Sequence, residues 1–286
     1  VAVLPGRGID QEEEADLLKT FFRQSEAIQR LRHALEQAPG SAASVSNPLL
    51  EPHWPELSSL YAERARSRPY IERLLGDAIA QVVLEENLPF SFGPVHFPPV
   101  DFKFEDPPRL LVISPRNRIE RLENILLRPQ ISARETNELE ASMLRALDLS
   151  ALVLTVGGIA TYPAMVPTGR PLRDTVIIAS HEWLHHYLFF RPLGQHLQDS
   201  AELFSLNETL ANIFADEAGG KVLDRLVEQG VVGVEEIGGQ AYGKGVLIMG
   251  IDFRKEMRKT RLRVDRLLAQ GFVEKAELYM EEQRQL

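Results

Sequence analysis

The chain of 286 residues contains no cysteine. A disulfide framework and thiolate metal sites are thereby excluded, so any metal must be held by histidine and carboxylate. There is no run of eighteen or more apolar residues, and so no helical membrane span in the sequence. Positive charge is not in excess: 32 Lys and Arg face 41 Asp and Glu, for a formal net charge of -9. A nucleic-acid binder would carry a basic face, and this balance argues against one; the acidity serves solubility. Internal repeats and low-complexity tracts are absent too, which removes solenoids and disordered arrays. What is present is 44% hydrophobic residues, enough for a sizeable core in one large domain or two small ones.

Hydrophobic spacing divides the chain. Leu17, Leu18, Phe21, Phe22, Ile28, Leu31 and Leu35 recur at helical intervals, which predicts a helix over Gln11–Ala38 ended by Pro39-Gly40. A Ser/Pro/Asn-rich linker follows. A second helical stretch starts near Glu56, is expected to break at Arg68-Pro69, and resumes through Ile71, Leu75, Ile79 and Val83. Residues 1–90 are therefore read as a helical N-terminal unit and 91–286 as a second domain.

Within 91–286, Arg109–Ser114 and Ala151–Val156 read as strands, and Arg118–Leu127 and Ser132–Leu147 as helices. After Asp174 the pattern is helical apart from the glycine-rich stretch 230–245. The fold class expected is α+β, predominantly helical, with a small sheet. The apolar stub Val1–Leu4 lacks an initiating methionine and precedes Pro5-Gly6. It fits a removed signal or anchor segment and a trimmed start equally. A membrane-tethered, extracytoplasmic parent is one expectation, a soluble cytoplasmic protein the other.

The densest information lies in His181-Glu182-Trp183-Leu184-His185. Residues four apart share a helix face, so both imidazoles can grip one zinc ion. Glu182 beside them can deprotonate a water held by that ion. The run from Val176 to Leu188 is apolar around these groups, and polar groups in a buried helix need a partner. Zinc requires a third protein ligand. The H-E-x-x-H-x-x-G-x-x-H pattern would need glycine at 188 and histidine at 191, where the chain has Leu188 and Arg191. His196, in a loop-like stretch, and Glu202 are rivals. Glu208 sits better, in a second helical run that can return antiparallel to the first, and Ala211 one turn on permits close helix contact.

H-E-x-x-H followed about twenty residues later by Asn207-Glu208-Thr209-Leu210-Ala211 resembles the gluzincin, thermolysin-like branch of the zinc metallopeptidases. The resemblance spans roughly residues 150–217 and implies a zincin-like catalytic domain within 91–286. It makes Glu208 the third zinc ligand. Many members have an acidic residue four positions later that orients the first histidine; here that place holds Asn212, whose amide oxygen can accept the same hydrogen bond without charge. Asp216 lies one turn beyond.

The function expected is zinc-dependent peptide-bond hydrolysis, with a zinc-bound water activated by Glu182 and a peptide or protein as substrate. Such enzymes present an edge strand to an extended substrate, and Gly157–Tyr162 is the expected counterpart, with Gly158, Ala160 and Tyr162 as candidate substrate contacts. Several gluzincin aminopeptidases carry a glutamate in this region to hold the substrate amine; none lies between Gly157 and Arg173, which favours an endopeptidase, or an exopeptidase that grips the amine elsewhere. Tyr242 and Tyr187 are candidate oxyanion donors. His186 points about 100° away from His185 and is read as supporting or packing. Two alternatives stand beside this reading: a catalytically silent zinc-binding interaction protein, and a zinc hydrolase of a non-peptide amide.

Overall fold

The computed structural model describes residues 10–37, 54–92, 95–233, 247–248 and 251–285. In chain order the elements begin with α1 (Gln11–Gln37), α2 (Trp54–Glu85), β1 (Phe90–Phe92), β2 (Val95–Phe97) and β3 (Phe102–Phe104). Next come β4 (Arg109–Pro115), β5 (Glu123–Leu127), α3 (Ala133–Leu147), β6 (Leu149–Thr155) and β7 (Ala164–Val166). The rest is α4 (Leu172–Phe189), α5 (Pro192–Gln195), α6 (Ala201–Glu228), β8 (Leu247–Ile248), β9 (Ile251–Asp252), α7 (Phe253–Ala269) and α8 (Val273–Arg284). The described chain is mostly helical with small sheets, an α+β protein.

Two compact units form, and they do not divide at residue 90. One comprises residues 1–107 with 157–240, the other 108–156 with 241–286. The expected separate helical unit over 1–90 fails because α1 and α2 have no core of their own. Leu18 and Phe21 of α1 and Ile71, Leu75, Ile79 and Val82 of α2 are buried in one cluster with Trp183 of α4 and Val222 of α6.

The first unit is organised around α4 and α6. Along α6, Ala211, Ala215, Ala218 and Gly219 recur at helical spacing and are all buried. Small side chains let two helix axes approach closely. A methyl on Gly219 would already stand 3.0 Å from Ile177 of α4. Beneath them, β3 pairs in parallel with β7, Phe102 opposite Ala164 and Phe104 opposite Val166. The Phe104 amide donates to the Glu72 carboxylate of α2 at 2.7 Å, fixing that ladder to the helix.

Pro69 does not break α2, which runs through it. A proline inside a helix costs about 3 kcal/mol. The face beyond it buries Ile71, Leu75, Ile79, Val82 and Val83, each contributing about 1.5–3 kcal/mol, so burial wins.

The second unit carries an antiparallel sheet in the order β5-β4-β6. Arg118–Leu127, expected helical, holds β5 instead. Ile119, Leu122, Ile125 and Leu126 have helical spacing but are all exposed, while Glu123–Leu127 fills the edge of β4, with Leu127 opposite Arg109. Ladder pairing there outweighs local periodicity. The helix expected from Ser132 is present as α3, with Ser132 and Glu135 forming a reciprocal capping box. The Val153 amide of β6 donates to Glu140 of α3 at 2.8 Å.

Candidate metal centre

Helix α4 starts at Leu172, two residues before Asp174, where the helical pattern was expected to begin, with Pro171 preceding its first turn. Its apolar sides are taken up by the core, with Val176, Ala179, Trp183, Leu184 and Leu188 buried. Trp183 is anchored by its indole N–H, which donates to the Pro98 carbonyl at 3.1 Å, and its ring lies against Tyr187 and Phe214. That anchoring sets the rotation of α4, and with it the direction of His181 and His185.

The two imidazoles face each other across one turn, Nε2 to Nε2 at 3.0 Å. Glu208 reaches across from α6. One carboxylate oxygen lies 3.5 Å from Nε2 of His181 and the other 3.5 Å from Nε2 of His185. Among the described residues these three form the single group of His, Cys, Asp or Glu atoms close enough to share an ion. Tetrahedral zinc with bonds near 2.0–2.1 Å would space its ligand atoms about 3.3 Å apart. The separations of 3.0, 3.5 and 3.5 Å bracket that value. The group could hold a metal ion, and its donor set of two imidazoles and a carboxylate suits zinc.

For His181, burial works against the charged ring, but its hydrogen bonds to Glu208 and Asn212 and the neighbouring carboxylates leave its pKa raised. For His185, burial and the charge of His181 hold the pKa down. Glu208 is lowered, first by its hydrogen bond to His181. Asn212 thus favours the charged ring of His181. Asn207 was assigned no role in the sequence reading. It is buried, its Nδ2 donates to the Leu193 carbonyl at 3.4 Å, its Oδ1 has no hydrogen-bond partner, and it acts on His185 in the raising direction. Its place immediately before Glu208 was the available signal.

Glu182 is only 6% exposed. Burial pushes its carboxyl up to about 7, His181 pulling the other way and Glu208 adding to the rise. The three ligand side chains are more open, at 17, 16 and 36%. The ligand group therefore faces solvent and the acid beside it does not.

Residues 157–163 are not the edge strand expected. Ile159 makes an isolated antiparallel bridge with Met165, exchanging backbone bonds of 3.1 and 2.9 Å, and the chain then turns, with the Thr161 amide donating to the Ile159 carbonyl. Gly157 and Gly158 on one side and Pro163 on the other leave four residues between them, too few for a longer ladder. Gly158 is buried against Glu182, while Ala160 and Tyr162 are exposed. His186 lies 2.7 Å through Nε2 from the Thr161 carbonyl and meets the Tyr162 ring edge-on, so it ties this segment to α4.

The remaining sequence candidates fall elsewhere. His196 follows α5 and pairs with Asp199 at 2.7 Å on the surface, outside the ligand group. Glu202 is exposed in the first turn of α6. Tyr187 packs between Trp183 and the Arg191 guanidinium. Tyr242 lies outside the described residues. Compared with family models, curated proteins and solved structures, the chain gives no match. Fold and site together define a mostly helical α+β protein with a three-residue group able to hold a metal ion.

Proposed function

We propose that the chain is a zinc metallopeptidase of the gluzincin type with a zincin-like catalytic fold. His181, His185 and Glu208 hold the ion and Glu182 is the catalytic base. The observation that carries this reading is two imidazole nitrogens and a carboxylate at metal-ligand spacing with a buried glutamate alongside. A structural metal site has no use for such a base. Two imidazoles and a carboxylate also suit iron(II); Glu182 is what favours hydrolysis.

Bound zinc would supply a Lewis acid that polarises a carbonyl and acidifies water. Glu182 takes a proton as the water oxygen bonds to the amide carbon. The same carboxyl gives that proton to the nitrogen as the C–N bond breaks, so the base is regenerated. Burial raises its proton affinity, as a group that both takes and returns a proton near neutral pH requires. Asn212 and Asn207, which raise the proton affinity of the two imidazoles, would help orient them on the ion. Ala160 and Tyr162 are the substrate-facing residues of the segment that His186 ties to α4.

The test is cleavage of an internally quenched peptide library with both ends blocked, by native protein and Glu182→Gln, each carrying one zinc. The native chain should cleave, and the variant should be slower by about 10²–10⁴-fold at equal zinc content. Equal rates, or no cleavage by either zinc-loaded chain, would favour a catalytically silent zinc-binding interaction protein. Hydrolysis of small amides but never of peptides would point to a non-peptide zinc hydrolase.

A further inference from the structure

Gly158 is buried, and its backbone conformation does not call for glycine: the positive-φ glycines among the described residues are Gly169, Gly230 and Gly271. Space calls for it. A methyl group built on Gly158 would overlap Oε1 of Glu182 and stand 2.9 Å from both Cγ and Cδ of the same side chain. All three of its nearest atoms belong to Glu182. One residue earlier, a methyl on Gly157 would meet nothing within 4 Å. The missing side chain at 158 is thus the room that one carboxylate occupies.

The backbone at 158 is poorly placed to retreat. Ile159 is bonded through both its N–H and its carbonyl to Met165, and Thr161 is held through its carbonyl by His186. The free end of Glu182 is the softer partner, because its torsions can turn without breaking backbone bonds.

We propose that Gly158 is a positioning residue for Glu182: its bare backbone forms the wall that aims the carboxylate along the ligand face of α4, and any side chain there turns the base aside. This rests on the reading of Glu182 as the catalytic base. The three atoms nearest that methyl all belong to Glu182 and none to His181, His185 or Glu208, so zinc binding and base geometry are expected to separate at this position.

The experiment is a set of double-mutant cycles read in two ways. In zinc-loaded protein, Gly158→Ala should keep one zinc per chain at native affinity and native KM, while kcat falls on the order of 100-fold, the loss expected for a base misplaced by about 1 Å. Glu182→Asp draws the carboxylate back from the added methyl, so the loss in Gly158→Ala/Glu182→Asp should be smaller than the product of the two single losses. In metal-free protein, Gly158→Ala should lower the denaturation midpoint in the native background and not in Glu182→Ala, where the crowded carboxylate is gone. The cycle cancels the effect of alanine on the unfolded chain.

A native kcat in Gly158→Ala, losses that multiply, or a stability penalty that persists in Glu182→Ala would each overturn the proposal. A native chain that cleaves no amide would remove the hydrolase reading. The metal-free cycle would still decide whether Gly158 holds Glu182 in place.

Discussion

Nε2 of His181 and Nε2 of His185 stand 3.0 Å apart across a single turn of α4, and each is 3.5 Å from a different oxygen of Glu208. Two imidazole nitrogens at that distance need a proton or a cation between them, since two lone pairs repel. Without metal the group compensates unevenly. Burial opposes the charged form of His181 but Glu208 and the neighbouring carboxylate raise its pKa, while burial and the charge of His181 lower that of His185. A divalent cation would satisfy all three donors at once.

Two asparagines of α6 raise the proton affinity of those rings, Asn212 that of His181 and Asn207 that of His185. Asn212→Ala removes the partner of His181 and Asn207→Ala the neighbour of His185. Each is expected to weaken zinc binding by about 10–100-fold. Asn212→Asp should recover or exceed native affinity, because it restores the acceptor and adds charge. Competition titration against a zinc indicator at fixed pH measures this; native affinity in both alanine variants would show that the rings are held by packing alone.

Close approach of α6 to α4 brings Glu208 within reach of the histidines. Ala211, fully buried one turn beyond Glu208, is a position where added volume would press on that approach. Ala211→Leu should cost about 1–3 kcal/mol of stability and weaken zinc binding along with it. Denaturant unfolding and the same zinc titration check both halves. A variant of native stability and affinity would mean that the helices accommodate a larger spacing.

How much of this was legible in the sequence follows from the range of each interaction. His181, Glu182 and His185 are set by helical spacing, which five consecutive residues display. Glu208 and Asn212 come from a second helix; Glu208 was legible from a helical run able to return along the first and chiefly from the resemblance in the paired motifs, Asn212 from the resemblance alone. The packing of Gly158 on Glu182 was not legible, because it depends on how a turn after β6 folds back over α4. The strand β5 was missed because apolar residues at helical intervals concealed a segment whose state is decided by the open edge of β4. The continuity of α2 through Pro69 was missed because a local penalty was weighed without the core that offsets it.

Tyr70 of α2 reports on the packing of α1. Its hydroxyl donates to the Glu14 carboxylate at 2.9 Å, and burial, then that bond, push its pKa up to about 12 from an ordinary 10.0. The folded state therefore holds this proton more tightly than the unfolded chain. The resulting stability is fully present below pH 10 and is lost as pH rises towards 12. Tyr70→Phe should be less stable than native at neutral pH, and the gap should close across that window. Unfolding midpoints of the two chains along a pH series measure it; a gap that stays constant to pH 12 would show that the hydroxyl contributes nothing through its proton.

The most direct measurement is an anomalous-difference map at the zinc edge, from crystals of protein purified without chelator. It should show one strong peak about 2.0–2.2 Å from Nε2 of His181, Nε2 of His185 and a Glu208 oxygen, with a coordination position left over towards Glu182. Density for zinc elsewhere, or an empty group with the imidazoles turned apart in zinc-containing solution, would contradict the account.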